Sequence, residues 1–484
     1  MSRSPSRFLD VFFVLSLGAV GATGWAVTAQ AAIEDWTGGT SNSWGTASNW
    51  NPAVVAGASD IARWDANSYT RNLDTGGSDR NIGQCLFTAN NTGGASIGGN
   101  SIVSVSGVGD GSKYIGILLE SGSGAVTLGK VRVLTNTQSW INDSSNLLRI
   151  SNSWKIDADL TIEGSGTGGV SFSGPYEATG GGSGGLIVNL PNGVVTIRSD
   201  LEGRFTGQTI VRQGILSLGS INNYNINGTL GCNAWPVILG DNGTTGTLKY
   251  TGGTISRNRG FALPAGGAGA FQVDLAESVL TLSGPLGGAG DLTKTGAGTL
   301  ALAGLNTYTG DTIVLAGMLR IGSGGGGSGS LADASTVKIS VGARMNLNFS
   351  GTDTISDLWL GGVRVPAGTY DGSISTPIDY RSYFTGAGSL LVVPDALLGD
   401  TNADGVVDAA DFIALKKNLG MRSGATATEG NFNADGAVNW ADLTILMNNF
   451  GAGGSGGTTA APEPCSAMLL VFGAAALLRR RRRF

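Results

Sequence analysis

Histidine is absent from the 484-residue chain. Its absence removes Ser-His-Asp and Cys-His constellations and every imidazole metal site. Catalysis here would have to run on carboxylates, lysine, tyrosine or a bound ion. Cysteine is scarce as well, with only Cys85, Cys232 and Cys465. Cys465 falls in the C-terminal segment, which leaves one long-range disulfide between Cys85 and Cys232 or two free thiols. Charged residues are 13% of the chain and prolines number 12.

Glycine is abundant, at 82 residues, and hydrophobics are 41%. The glycines follow no three-residue period, which excludes collagen. A chain rich in glycine, Val, Ile, Leu and Thr predicts many short strands joined by tight turns.

The two ends read as targeting signals. Arg3 and Arg7 precede an apolar run from Val11 to Val20, and Ala29-Gln30-Ala31 is a small-x-small cleavage site. The mature chain is expected to start at Ala32, after Ala31. At the other end Pro462-Glu463-Pro464 precedes an apolar run from Cys465 to Leu478 and five arginines, Arg479 to Arg483. Neither run reaches the ~20 residues of a comfortable membrane span, and the arginines mark a cytoplasmic flank. This tail resembles a PEP-CTERM sorting signal. The resemblance implies transient membrane anchoring and processing by an exosortase-type enzyme near the Pro-Glu-Pro motif. The full chain carries −5. Loss of the signal segment (net +1) and of Cys465 to Phe484 (net +5) would leave −11. That acidity argues against a nucleic-acid partner.

Between the ends, apolar and polar residues alternate in segments of four to seven. Val126 and Leu128, Val131 and Val133, Val195 and Ile197, and Leu300 and Leu302 are examples. One unit recurs: Phe205 to Gly219 and Tyr308 to Gly322 share eight of fifteen aligned positions. It reads as strand, glycine turn, strand, with an apolar face that a neighbouring rung must cover. The stretch Leu292-Thr293-Lys294-Thr295-Gly296 through Gly322 resembles the autotransporter-associated β-strand repeat. Pro366 to Tyr370 and Tyr383 to Leu390 resemble the closing segment of such proteins. The resemblance implies a right-handed parallel β-helix, with a β-sandwich as the alternative that alternation alone leaves open. Trp36, Trp44, Trp50 and Trp64 are expected to cap the first rung; exposed indoles stacking on sugar are the other reading. Lys155, Asp157, Asp159 and Glu163 are the best local candidates for carboxylate chemistry, read as one face of a single strand with Trp154, Ile156, Ala158, Leu160 and Ile162 on the other.

The most specific signal follows Leu398. Asp400, Asn402, Asp404, Asp408 and Asp411 occupy positions 1, 3, 5, 9 and 12 of a loop with Gly405 at 6. Calcium needs six to eight hard oxygens, and glycine permits the sharp turn. Val406 would contribute its carbonyl. Thirty-one residues on, Asn431, Asn433, Asp435, Ala437, Asn439 and Asp442 repeat the roles. Phe412, Leu415 and Leu419, and then Leu443, Leu446 and Phe450, predict an amphipathic helix after each loop. The tandem loops, the missing leading helix and Asp at position 12 resemble a type I dockerin module. That resemblance implies two Ca2+ sites, the first the stronger by its carboxylate count, and a cohesin domain as partner. Positions 10 and 11, here Ala409-Ala410 and Trp440-Ala441, differ from the Ser/Thr of familiar dockerins, so a calcium-braced module without a cohesin stays open.

The chain is therefore expected to be mostly β. Residues 1–31 form a signal peptide and 32–394 a β-solenoid, clearest at 185–219 and 292–393. Residues 399–451 form a small α-helical calcium module, 452–461 a linker and 462–484 a sorting tail. The expected function is that of a non-enzymatic structural or adhesive protein at the cell surface, in the outer envelope or in the extracellular matrix, with extracellular polysaccharide as a candidate ligand. The alternative is a polysaccharide-degrading β-helix enzyme tethered through the dockerin.

Overall fold

The computed structural model describes residues 31–452, apart from 67–71, 76, 110–111, 135, 178–180, 199–202, 325–330, 374–379, 394–397, 403 and 434. The signal segment before Ala31 and the tail with Pro462, Glu463 and Pro464 lie outside the described residues.

The alternating segments are strands, and each is too short to bury its apolar face alone. In Leu160–Glu163, Leu160 and Ile162 are fully buried, while Thr161 and Glu163 are half-buried on the outer side. This strand pairs in parallel with Gln138–Asn142 on one edge and Leu186–Ile197 on the other. Leu160 stands beside Leu186, Leu186 beside Thr209, and Leu292 beside Thr312, so a turn of the coil takes 20 to 26 residues at these places. The chain makes about 12 such turns. The parallel pairing settles the alternative: the body is a β-solenoid and not a sandwich.

The coil has three faces. One runs from Ile61–Trp64 through Leu160–Glu163 and Phe261–Leu263 to Asn306–Tyr308. A second passes through Leu148–Ile150, Thr245–Tyr250 and Asp291–Thr295 to Asp357–Leu360. The third is built by Arg80–Ile82 to Trp154–Ile156 and later by Ile255–Arg257 to Phe384–Gly386. Their inward side chains form one apolar core from Trp36 to Val392. Backbones stack closely at the corners, which explains much of the glycine. A Cβ on Gly174 would stand 1.0 Å from the carbonyl oxygen of Asn152 on the previous turn.

Antiparallel pairs appear mainly near the ends. Trp50–Asn51 covers the outer edge of Ile33–Trp36, and Val363–Arg364 folds back on Asp357–Leu360. Trp36, Trp44, Trp50 and Trp64 are 0–3% exposed and meet one another at ring-centroid distances of 5.1–6.2 Å. They cap the first rung, and their burial rules out sugar stacking on these indoles.

The recurring sequence unit does not mark one position in the coil. Ile210 and Val211 lie on the first face, leading to Val237–Leu239, whereas the aligned Ile313 and Val314 lie on the second, beside Thr293 and Lys294. Excursions such as that between Leu218 and Val237 change the turn length, so equal sequence spacing does not give equal geometry. Cys85 and Cys232 are both free; burial pushes the Cys85 thiol up to about 12. Among the described residues no helix is long and apolar enough to cross a membrane.

Candidate calcium loops

The only α-helices among the described residues are Ala409–Asn418 and Trp440–Asn449, one after each predicted loop. Each starts where its loop supplies a cap. Asp408 accepts a hydrogen bond from the Ala410 amide at 2.7 Å, and Asn439 one from Ala441 at 2.8 Å. Position 9 is thus a helix N-cap as well as a candidate ligand.

Position 12 ties each loop into a ring. Asp411 is fully buried; its Oδ1 accepts from the Thr401 amide (2.7 Å) and hydroxyl (2.9 Å), and its Oδ2 from the Asp408 amide (2.8 Å). Burial opposes its ionisation, but the donors on Asp408, Thr401 and Asn402 outweigh it and hold the carboxyl below the usual range. Asp442 is equally buried and accepts from the amides of Phe432, Asn433 and Asn439.

The exposed halves of the loops repeat one pattern. Asn402 Oδ1 accepts from the Asp404 amide and Asp404 Oδ1 from Val406; Asn433 and Asp435 do the same with Asp435 and Ala437. Asp400 Oδ2 accepts from the Gly405 amide at 2.9 Å. Gly405 and Gly436 have φ of 82° and 81°, the left-handed turn that glycine makes without strain.

The donors fit a hard cation. All candidate side-chain ligands are carboxylate or amide oxygens, the set calcium prefers. Asn431 is 8% exposed and its Nδ2 donates to the Ala425 carbonyl at 2.9 Å, yet its Oδ1 is buried with no hydrogen-bond donor. A cation at position 1 of the second loop would satisfy that oxygen.

Pairing between the halves is not visible in the loop pattern. Val407, at position 8, takes the Gly451 amide on its carbonyl (2.8 Å) and donates to the Ala452 carbonyl (3.0 Å). Val438, its counterpart, takes the Gly420 amide and donates to Met421 (2.9 Å each). Gly399 and Gly430 precede the loops, and a Cβ on either would press the other half's helix, at Leu446 and Leu415 respectively. The 31-residue offset shared by these glycines and valines was the available signal. The predicted helix stripe holds: Leu415, Leu443 and Leu446 are buried, and Phe412, Leu419 and Phe450 pack against them.

The candidate carboxylate cluster in the solenoid comes apart. Lys155 to Glu163 is not one strand: Trp154–Ile156 ends, the chain bends at Asp157 and Ala158, and Leu160–Glu163 begins on another face. Lys155 is itself buried. Each acid is engaged. Asp157 pairs with Arg132 (2.5 Å) and Lys155 (3.4 Å), Glu163 with Lys113 (2.5 Å), and Asp159 accepts from the Gly185 amide (2.6 Å).

Comparison with known proteins agrees with both parts. The model of the Passenger-associated-transport-repeat matches residues 292–321, and that of the Dockerin type I domain matches 398–451. The chain is similar to the Adhesin BmaC autotransporter of Brucella suis biovar 1 (strain 1330), 36% identical over 190 residues. That stretch is 38% of this chain and 5% of the adhesin, so the chain spans a small part of that relative. No solved structure matches. Dockerin type I domains generally bind calcium and cohesin domains. The chain thus carries an autotransporter-associated repeat within its β-solenoid, followed by a type I dockerin domain.

Proposed function

We propose that this chain is an exported structural or adhesive β-solenoid, working at the cell surface or outside the cell, with a dockerin that holds two calcium ions and docks a cohesin-type partner. The observation that carries the solenoid part is the engagement of every acid in the 155–163 segment by a basic side chain or backbone amide. Such groups brace a scaffold and are not poised for glycosidic chemistry. The similarity to an adhesin supports the same reading.

In the first loop Asp400, Asn402, Asp404, Asp408 and Asp411 bind calcium through side chains and Val406 through its carbonyl. In the second, Asn431, Asn433, Asp435, Asn439 and Asp442 do so, with Ala437 giving its carbonyl. The first site, with four carboxylates against two, is the tighter. Ala410, Ala441, Ile413 (65% exposed) and Trp440 (53%) present an apolar surface on the two helices suited to a protein partner. The Pro462-Glu463-Pro464 tail holds the chain at the membrane until an exosortase-type enzyme processes it. Extracellular polysaccharide is the candidate ligand of the solenoid.

The test is to incubate the calcium-loaded protein with a polysaccharide panel, measuring retention on each polymer and release of reducing ends or unsaturated products. Binding without products is expected; turnover of any polymer would replace this reading with the enzymatic one. Replacing Pro462, Glu463 and Pro464 by alanine should leave the protein in the membrane, and equal release of variant and parent would refute the sorting role.

A further inference from the structure

Glu34 is the misfit of the first rung. It sits on Ile33–Trp36 with its side chain inward, 4% exposed, and its Oε2 has no hydrogen-bond partner. Burial, and then the charges of Asp60 and Asp35, push its carboxyl above the usual range. Asp35, on the opposite side of the strand, is taken by Arg63 at 2.5 and 2.9 Å. Asp60 Oδ2 accepts only a backbone amide, that of Gly57 at 2.8 Å. A buried carboxylate flanked by anions, with an open oxygen, opposes folding of the strand that carries it.

The start of that strand lies in the same place. Ile33 pairs with Ile61 and Glu34 with Ala62, and the Ile61 amide donates to the Ala32 carbonyl at 2.7 Å. Continued by one residue, this register sets Ala32 beside Asp60. Alternation along paired strands puts Ala32, Glu34 and Asp60 on one side of the sheet, with Ala32 and Glu34 about 7 Å apart at Cα. While residue 31 is attached, Ala32 offers only a neutral amide there. Hydrolysis of the Ala31–Ala32 bond by a signal-peptidase-class enzyme adds water across it. The carboxylate leaves on Ala31, and Ala32 keeps an ammonium.

We propose that removal of the segment ending at Ala31 completes the first rung: the new α-ammonium of Ala32 pairs with Glu34 and Asp60 and locks the N-terminal cap. The inference rests on the cleavage site read from the sequence. It makes the cap weaker before processing than after. Glu34 is buried in that rung with an oxygen that has no partner among the described residues.

The test compares residues 32–484 carrying a free Ala32 amine with the same chain acetylated at Ala32, by hydrogen exchange at the Ile61 amide, whose acceptor is Ala32. The free amine should slow that exchange about tenfold, and acetylation should abolish the gain. Glu34→Gln should act in opposite directions, protecting the acetylated chain by removing the unpaired carboxylate and exposing the free-amine chain by removing its partner. Equal exchange in the free and acetylated chains, or a full gap surviving in Glu34→Gln with Asp60→Asn, would overturn the pairing. Mass spectrometry of the exported protein tests the cleavage separately. A start at Ala32 supports the proposal, and another start overturns it for the natural protein while the pairing in the 32–484 chain is measured on its own terms.

Discussion

In the solenoid, Lys294 and Arg259 are fully buried and donate to backbone and side-chain oxygens, although Arg259 Nε has no partner. Lys294 Nζ donates to the carbonyls of Thr295, Gly296 and Ala316 at 2.6–3.1 Å. Arg259 donates to the carbonyls of Leu230 and Asn233 and to the Asn233 side chain. In the dockerin domain, Asp411 and Asp442 are just as buried and take backbone amides, but Asn431 keeps an oxygen with no donor. One region spends its cations on its own turns. The other carries the candidate oxygen ligands for a cation. Both regions keep buried polar atoms without a partner, Glu34 Oε2 and Arg259 Nε in the solenoid and Asn431 Oδ1 in the dockerin domain, but only Asn431 belongs to a set of candidate oxygen ligands.

The largest effect that would sharpen this contrast is calcium removal. Chelation should destabilise the dockerin domain by about 4 kcal/mol relative to a thousandfold excess over Kd, a drop of roughly 15 °C or more for so small a domain. In a chain limited to residues 32–452, the helical circular dichroism should vanish, since both described α-helices lie in that domain, while the β signal melts unchanged. Helical signal that melts identically with calcium and chelator would break the comparison. Next is Gly174→Ala, which forces a methyl into the Asn152 carbonyl and should cost the solenoid about 3 kcal/mol, read by denaturant melting and independent of calcium. Third, Asp400→Ala should weaken calcium binding more than Asn431→Ala, by about tenfold or ~1.4 kcal/mol, because it removes a charge as well as a ligand; calorimetry showing the reverse order would refute the ranking of the sites.

A pH dependence confined to the solenoid is a further effect. Burial pulls Lys294 down to about 8 from an ordinary lysine value near 10.5. Between those values the unfolded chain binds the proton and the folded one does not, so stability rises with pH there. The parent should gain on Lys294→Met as pH is raised from 8 to 10.5, with or without calcium. A flat difference would mean that the three carbonyls hold the ammonium charged.

The dockerin domain and its two helices were legible, because the tandem loop spacing and the apolar stripe at Leu415 and Leu446 lie within one short segment. Solenoid class was legible because inward and outward residues alternate, as at Val126 and Leu128. Register was not. Ile210 and Ile313 occupy equivalent places in the recurring unit and different faces of the coil, since corner excursions vary freely in length. The bend at Asp157 and Ala158 was hidden for a related reason: alternation continues through a corner, so two short strands on different faces read as one. The pairing of Val407 with the end of the module left only the 31-residue offset from Val407 to Val438 as a trace, because backbone bonds carry no side-chain signature.

That last pairing decides how the dockerin would carry load. The chain enters the domain at Gly399, against Val407 and Leu446, and leaves at Ala452, bonded to Val407. Entry and exit therefore meet at Val407, and residues 408–450 form a side loop between them. A pull from entry to exit runs through Asp400 to Val406 of the first loop and then through the two Val407 bonds to Gly451 and Ala452, before it reaches either helix or the second loop. While those bonds hold, tension passes both helices and the second loop by; once they part, the rest of the domain is drawn into the line of pull.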